Sequence, residues 1–137
     1  MNERAAATAG PGHPTVTALI GIVIVEAVLL ALGTVLVLLG GIQQGFTPLT
    51  IALLVTAALV TVGVAWLAAS LLRRRRRMLG GVVTWQVLQF GCALLGFQGW
   101  IGPIWVAWVI LVLAIAGFAL AISRPVVAVY GGTPKGR

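Results

Sequence analysis

Residues Val16 to Leu39, VTALIGIVIVEAVLLALGTVLVLL, form the stretch that decides the fold. The stretch is apolar throughout except for one charged residue, Glu26. About 20 consecutive apolar residues are enough for a helix to cross a bilayer. The stretch therefore predicts a membrane-spanning helix. Because it is longer than the apolar core of a signal peptide and contains Glu26, we expect it to be retained.

Three further apolar runs follow, and the links between all four runs are short and contain Gly, Pro or arginines. Short links make neighbouring helices antiparallel. The prediction is an all-α integral membrane protein, a four-helix up-down bundle. Its parts are a flexible tail over residues 1–15, a bundle over 16–123 with helices at about 16–39, 49–72, 80–97 and 103–122, and a second tail over 124–137.

The composition excludes an ordinary soluble domain and most enzyme chemistry. The chain of 137 residues is 61% hydrophobic and only 8% charged, and it contains one His, one Cys and two acidic residues. A soluble domain carries roughly 25% charged residues. One Cys cannot form an internal disulfide, and so few reactive groups provide no catalytic or metal-binding set. We therefore predict no catalytic residue, no metal site, no cofactor and no enzymatic activity.

The basic residues predict the orientation of the bundle. The net charge is +7, and all nine Lys and Arg residues precede the first run, join the second to the third, or follow the fourth. Four spans bring these regions to one side of the membrane, and the positive-inside rule makes that side cytoplasmic. We expect a protein of the cytoplasmic membrane with both termini in the cytoplasm.

Five consecutive arginines form the link between the second and third runs. Basic residues beside a membrane attract anionic lipid headgroups. With no separate basic domain in the sequence, we expect a lipid partner here and no nucleic-acid partner. The residues are Arg73, Arg74, Arg75, Arg76 and Arg77.

Glu26 is the most informative single residue because an acid at the bilayer centre is costly and often functional. No Lys or Arg lies at its depth, so we expect a neutral carboxyl group bonded across a helix interface. Counting from the cytoplasmic helix ends places Gln89 and Thr61 at the same depth, with Gln86 close by. The predicted polar cluster is Glu26, Gln89, Thr61 and Gln86, with Gln89 the preferred partner. Its role is either to join helices or to carry protons or a substrate.

Small residues predict where helices pack closely. In the second run Ala57, Thr61, Ala65 and Ala69 recur every four residues, and in the first run Gly33 and Gly40 share the Glu26 face. Trp85 is expected near the cytoplasmic boundary, as part of an aromatic belt.

Two resemblances carry expectations about function. Val25-Glu26-Ala27-Val28, the arginine-rich link and the segment VVTWQVLQ over 82–89 resemble small four-helix membrane proteins of unknown function from actinobacteria, which implies a location and a fold. Glu26 and Gly45-Phe46-Thr47 resemble the small multidrug resistance transporters, which would make Glu26 a proton- and drug-binding residue. The chain departs from those with dual topology because its basic residues all lie on one side.

The function expected first is therefore that of a non-enzymatic accessory or interaction protein. The alternative is a small proton-coupled transporter or homo-oligomeric pore that uses Glu26. A partner membrane protein or a second copy of the chain is expected under either hypothesis.

Overall fold

The computed structural model describes residues 13–75, 78–99 and 102–130. These residues form helices joined by short turns, and the described ranges contain no strand. The predicted all-α class is confirmed. The helices are α1 (Pro14–Gln44), α2 (Pro48–Leu72), α3 (Leu79–Phe97), α4 (Ile104–Ala121) and α5 (Arg124–Tyr130).

Helices α1 to α4 are each long and apolar enough to cross a membrane. Helices α3 and α4 have 19 and 18 residues. At about 1.5 Å per residue, their length matches a hydrocarbon core about 30 Å thick. Helix α1, with 31 residues, is longer than this and must tilt or extend beyond the core.

The helix bounds agree with the predicted runs except at the end of α1. That helix continues past residue 39 through Gly40-Gly41-Ile42-Gln43-Gln44 and ends at Gly45, whose φ is +90°. Gly40 and Gly41 do not break the helix, because a helix in lipid keeps its backbone hydrogen bonds where no water competes for them. The actual stop is the left-handed Gly45 followed by Pro48, which occupies the first position of α2.

The helices pack as two hairpins. Helix α1 lies along α2 and α3 lies along α4, and the hairpins meet mainly where α1 contacts α4. Helices α2 and α3 have few backbone positions near each other. The buried core includes Leu19, Val23, Leu67 and Leu71. Large apolar side chains also cover the outside of the bundle, as expected for helices that face lipid.

Three described arginines of the run, Arg73 to Arg75, and Arg124 lie at one end of the bundle, which we call the arginine end. Here Arg74 ends α2 with a φ of +51°. The N–H of Arg75 donates to the carbonyl of Ser70, and the N–H of Arg74 donates to the carbonyl of Leu71. This is a Schellman motif with arginine at the position usually occupied by glycine.

Helix α5 lies within the segment 124–137 that was expected to be a tail. Its Val126 and Tyr130 are buried in the core beside residues of α1 and α2. The hydroxyl of Tyr130 donates a hydrogen bond of 2.9 Å to the carbonyl of Leu71. The Leu71 carbonyl thus accepts bonds from both Arg74 and Tyr130, and α5 covers the arginine end of the core.

Candidate functional site

Glu26 is buried inside the bundle, where its carboxylate oxygens accept hydrogen bonds from α3. The residue is 1% exposed. The indole Nε1 of Trp85 donates to Oε2 at 2.8 Å. The amide Nε2 of Gln86 lies 3.3 Å from both carboxylate oxygens. One acidic side chain of α1 is therefore held by two consecutive residues of α3.

Trp85 and Gln86 reach Glu26 from different sides because consecutive residues of a helix point about 100° apart. Trp85 lines a groove between α2 and α3, which we call the α2/α3 groove, with a volume of about 460 Å³. Gln86 instead faces α4 and is 1% exposed. Trp85 therefore connects the site to the α2/α3 groove, and Gln86 also lines a groove between α3 and α4.

Gly117 of α4 makes room for the Gln86 amide. A Cβ atom at this position would lie 2.5 Å from Cδ and 2.7 Å from Oε1 of Gln86. Real Cβ atoms do not approach other atoms so closely. The absence of a side chain at Gly117 therefore allows Gln86 to lie between α4 and Glu26.

Gln89, the partner predicted for Glu26, is buried beside the same carboxylate with 8% exposure. The two side chains make no hydrogen bond of ordinary length and angle. Among the described residues, Oε1 of Gln89 and Oε1 of Gln86 have no hydrogen-bond partner. Buried carbonyl oxygens normally have one. The site therefore contains a carboxylate and, on the two glutamines beside it, two buried acceptors without a donor among the described residues.

Thr61 does not join this cluster, so that part of the prediction is wrong. Its hydroxyl lies 3.0 Å from the hydroxyl of Thr34 and donates to the carbonyl of Ala57 at 2.7 Å. The short link between α1 and α2 sets their register. Glu26 lies 18 residues before Gln44, but Thr61 lies only 13 residues after Pro48. The difference corresponds to about 7.5 Å along the helices, and counting from the opposite ends missed it.

The predicted packing residues fall largely outside the helix contacts. Ala57 and Ala69 are half-buried, but Ala65 is exposed. A four-residue repeat advances about 40° around the helix at each step, so it drifts off the packed face. A Cβ atom at Gly33 or at Gly40 would meet nothing within 4 Å. The close approach lies instead at Gly96, where a Cβ atom would lie 2.8 Å from Cβ of Ala107.

The arginine run is exposed at Arg73, Arg74 and Arg75, and Arg76 and Arg77 lie outside the described residues. The three exposed guanidinium groups are therefore available at the end of the bundle, as contact with lipid headgroups requires. Among the described residues no group of three His, Cys, Asp or Glu lies close enough to hold a metal ion.

Trp85 is the site residue that the sequence did not reveal. It was assigned to an interfacial belt, but it lies six residues after Leu79, about 9 Å inside the start of α3. An indole N–H at that depth needs an acceptor, because lipid offers none. The depth of Trp85 in α3 could therefore have predicted a hydrogen bond from its indole to a polar group of another helix.

The four apolar helices make this chain a multi-pass membrane protein. Comparison with protein-family models, with curated proteins and with solved structures finds no match. The two resemblances described above therefore stay predictions.

Proposed function

We propose that this chain is a non-enzymatic accessory protein of the cytoplasmic membrane, with both termini in the cytoplasm, that acts by contact with another membrane protein or with a second copy of itself. The orientation rests on the distribution of its nine basic residues. The non-enzymatic role rests on a composition with two acidic residues, one His and one Cys.

The observation that carries the proposal is the enclosure of Glu26. Its carboxylate is 1% exposed and bonded to Trp85 and Gln86. Helices α1 and α3 are otherwise held together mainly through their hairpin partners. In this role Glu26 joins the two hairpins. Such bonds between membrane helices contribute about 0.6 kcal/mol on average, which is a structural contribution.

The test uses two replacements of Glu26 in the purified chain. Glu26→Gln keeps the shape and polar character of the side chain, whereas Glu26→Leu removes its polar atoms. An accessory role predicts that Glu26→Gln folds with nearly wild-type stability and that Glu26→Leu unfolds more easily in a detergent titration. It also predicts that vesicles containing the wild-type chain and a pH-sensitive dye pass no more protons than empty vesicles. A proton flux that Glu26→Gln abolishes would contradict the proposal.

A second candidate is a small proton-coupled transporter or homo-oligomeric pore that uses Glu26. The Oε1 atoms of Gln86 and Gln89, which have no hydrogen-bond partner among the described residues, favour it, because they are buried acceptors on side chains that lie beside an acidic residue. Trp85, which bonds to Glu26, also lines the α2/α3 groove. Four helices enclose little space, so this function requires self-association. The mass of the detergent-solubilised protein tests the second candidate: a single chain per particle would exclude it, whereas an oligomer is compatible with both candidates.

A further inference from the structure

A second groove lies on the outside of the bundle between α3 and α4, and we call it the α3/α4 groove. Its volume is about 380 Å³ and its surface is almost entirely apolar. Gaps of this size with apolar walls are typical of ligand sites between the helices of a bundle. Its walls include Phe90 of α3 and Ile115, Phe118, Ala119 and Ile122 of α4.

The α3/α4 groove is confined to the half of the membrane at the arginine end. It begins at Ile122, just beyond the end of α4, and reaches Phe90, which lies 11 residues after Leu79. That distance is about 16 Å along the helix, or half of a hydrocarbon core about 30 Å thick. The groove therefore spans the depth of one lipid leaflet.

In the other half of the membrane, α3 and α4 approach too closely to leave a groove. Gly96 lies directly against Ala107. The rings of Phe97 and Trp108 stack edge to face with centroids 5.0 Å apart. A partner helix would cross both leaflets and would need a groove of full length. An acyl chain lies within one leaflet, so a groove of half the membrane thickness is long enough for it.

The basic residues lie at the open end of this groove. Arg124 is exposed and follows the groove residue Ile122 by two positions. The arginine run precedes α3, the helix that forms the other wall. Basic pockets between membrane helices bind anionic headgroups. An apolar groove at the depth of one leaflet therefore ends beside a basic residue at the membrane surface. A phospholipid has the same arrangement, with its acyl chain in the leaflet and its phosphate at the surface.

The geometry points to a binding site for an anionic phospholipid, with an acyl chain in the α3/α4 groove and the headgroup at Arg124. The groove is also lined by Gln86, which donates to Glu26, but the proposed lipid contacts do not use the carboxylate. They are therefore independent of whether the protein acts as an accessory or as a transporter. The site is also more specific than the general attraction of lipid to the arginine run, because it needs one groove and one arginine.

Native mass spectrometry of the detergent-solubilised chain tests this site. The probes are phosphatidylglycerol and phosphatidylcholine with identical acyl chains. The wild-type chain should bind phosphatidylglycerol several-fold more tightly. Arg124→Gln should weaken phosphatidylglycerol binding about fivefold, as expected for one basic residue near the surface, and leave phosphatidylcholine binding unchanged. Arg75→Gln, which removes an exposed arginine of the run, is the matched comparison and should weaken phosphatidylglycerol binding less than Arg124→Gln does.

A second variant tests the groove itself. Ala119→Trp places a large ring in the α3/α4 groove and should weaken binding of both lipids, whereas Ala58→Trp, at an exposed position of α2, should not. Circular dichroism verifies that each variant keeps its helices. Equal binding of the two lipids by the wild-type chain would overturn the proposal. So would equal losses in Arg124→Gln and Arg75→Gln, or equal binding by Ala119→Trp and Ala58→Trp.

Discussion

The indole nitrogen of Trp85 lies 2.8 Å from Oε2 of Glu26, although 59 positions separate the two residues in the chain. This bond joins the α1/α2 hairpin to the α3/α4 hairpin. Gln86 donates to the same carboxylate from the next position of α3 and lies against Gly117 of α4. A single acidic side chain thereby connects α1 to both helices of the other hairpin.

Replacing Trp85 by Phe should destabilise the bundle, because the aromatic ring remains while Glu26 loses one donor. The expected loss in the free energy of unfolding is about 0.6 kcal/mol and at most about 1.7 kcal/mol, measured by detergent titration followed by circular dichroism. Trp66→Phe is the control, since Trp66 is 56% exposed on α2. Equal stability of the two variants would show that the bond contributes nothing.

Gly117→Ala should displace the Gln86 amide from Glu26. The added methyl group would lie 2.5 Å from Cδ of Gln86, and overpacking of this kind costs about 1–3 kcal/mol. Gly33→Ala, where the added group meets nothing within 4 Å, should be neutral or slightly stabilising. The double variant Gly117→Ala with Gln86→Ala should lose less stability than the sum of the single losses. Additive losses in the same unfolding assay would contradict this account.

The length of the apolar runs was enough to predict the number of spans, because lipid requires each helix to satisfy its own backbone. The same argument identified Glu26 as a buried residue that needs polar partners, and it included Gln86 among them. The register of neighbouring helices along their axes was harder to predict. Thr61 was assigned to the Glu26 cluster by counting from the wrong helix ends, and the short turn at Gly45 sets it opposite Thr34 instead.

Close packing could not be read from glycine positions alone. Gly33 and Gly96 are both glycines within apolar helices, yet only Gly96 lies against a neighbouring backbone. The difference depends on which helix face meets a partner, and apolar residues surround these helices on all sides. Because lipid-facing and partner-facing surfaces have the same apolar character, a single sequence does not distinguish them.

Gly96→Ala should separate α3 from α4. The new Cβ would lie 2.8 Å from Cβ of Ala107 and 3.3 Å from its Cα, and a backbone atom cannot move aside as a flexible side chain can. We expect a loss of about 1–3 kcal/mol in the free energy of unfolding. Gly91→Ala, on the same helix with open space above it, should have little effect. A stable Gly96→Ala variant would mean that the hairpin tolerates a wider spacing.

Arg74→Gly should stabilise the end of α2. Arg74 has a φ of +51°, a conformation that is costly for residues with a Cβ atom and easy for glycine. The relief of this strain, reduced by the extra freedom of glycine in the unfolded chain, should give a gain of about 0.5–1 kcal/mol. Arg75→Gly removes the same charge from a residue without positive φ, so it should give no gain. The thermal unfolding midpoints of the two variants provide the comparison. Equal midpoints would contradict the claim that the backbone of Arg74 is strained.

The docking of α5 should depend on pH through Tyr130. Burial raises the pKa of the Tyr130 hydroxyl above its ordinary value near 10, and Arg74 partly offsets this effect. Because the folded protein holds this proton more strongly than the unfolded chain does, the contribution of Tyr130 to stability is complete below about pH 10. It is lost as the pH rises through the higher pKa of the folded state, when the phenolate can no longer donate to the carbonyl of Leu71.

Tyr130→Phe removes both the hydrogen bond to Leu71 and the titration. At pH 8 it should lower the free energy of unfolding by about 1 kcal/mol. The difference in thermal midpoint between the wild-type chain and Tyr130→Phe should then shrink as the pH rises from about 10 through the higher pKa of the folded state, where the wild-type phenol ionises. The other titrating groups are common to both proteins, so the difference reports on Tyr130 alone. A difference that stays constant across this range would show that Tyr130 titrates equally in the folded and unfolded states and is not buried against Leu71.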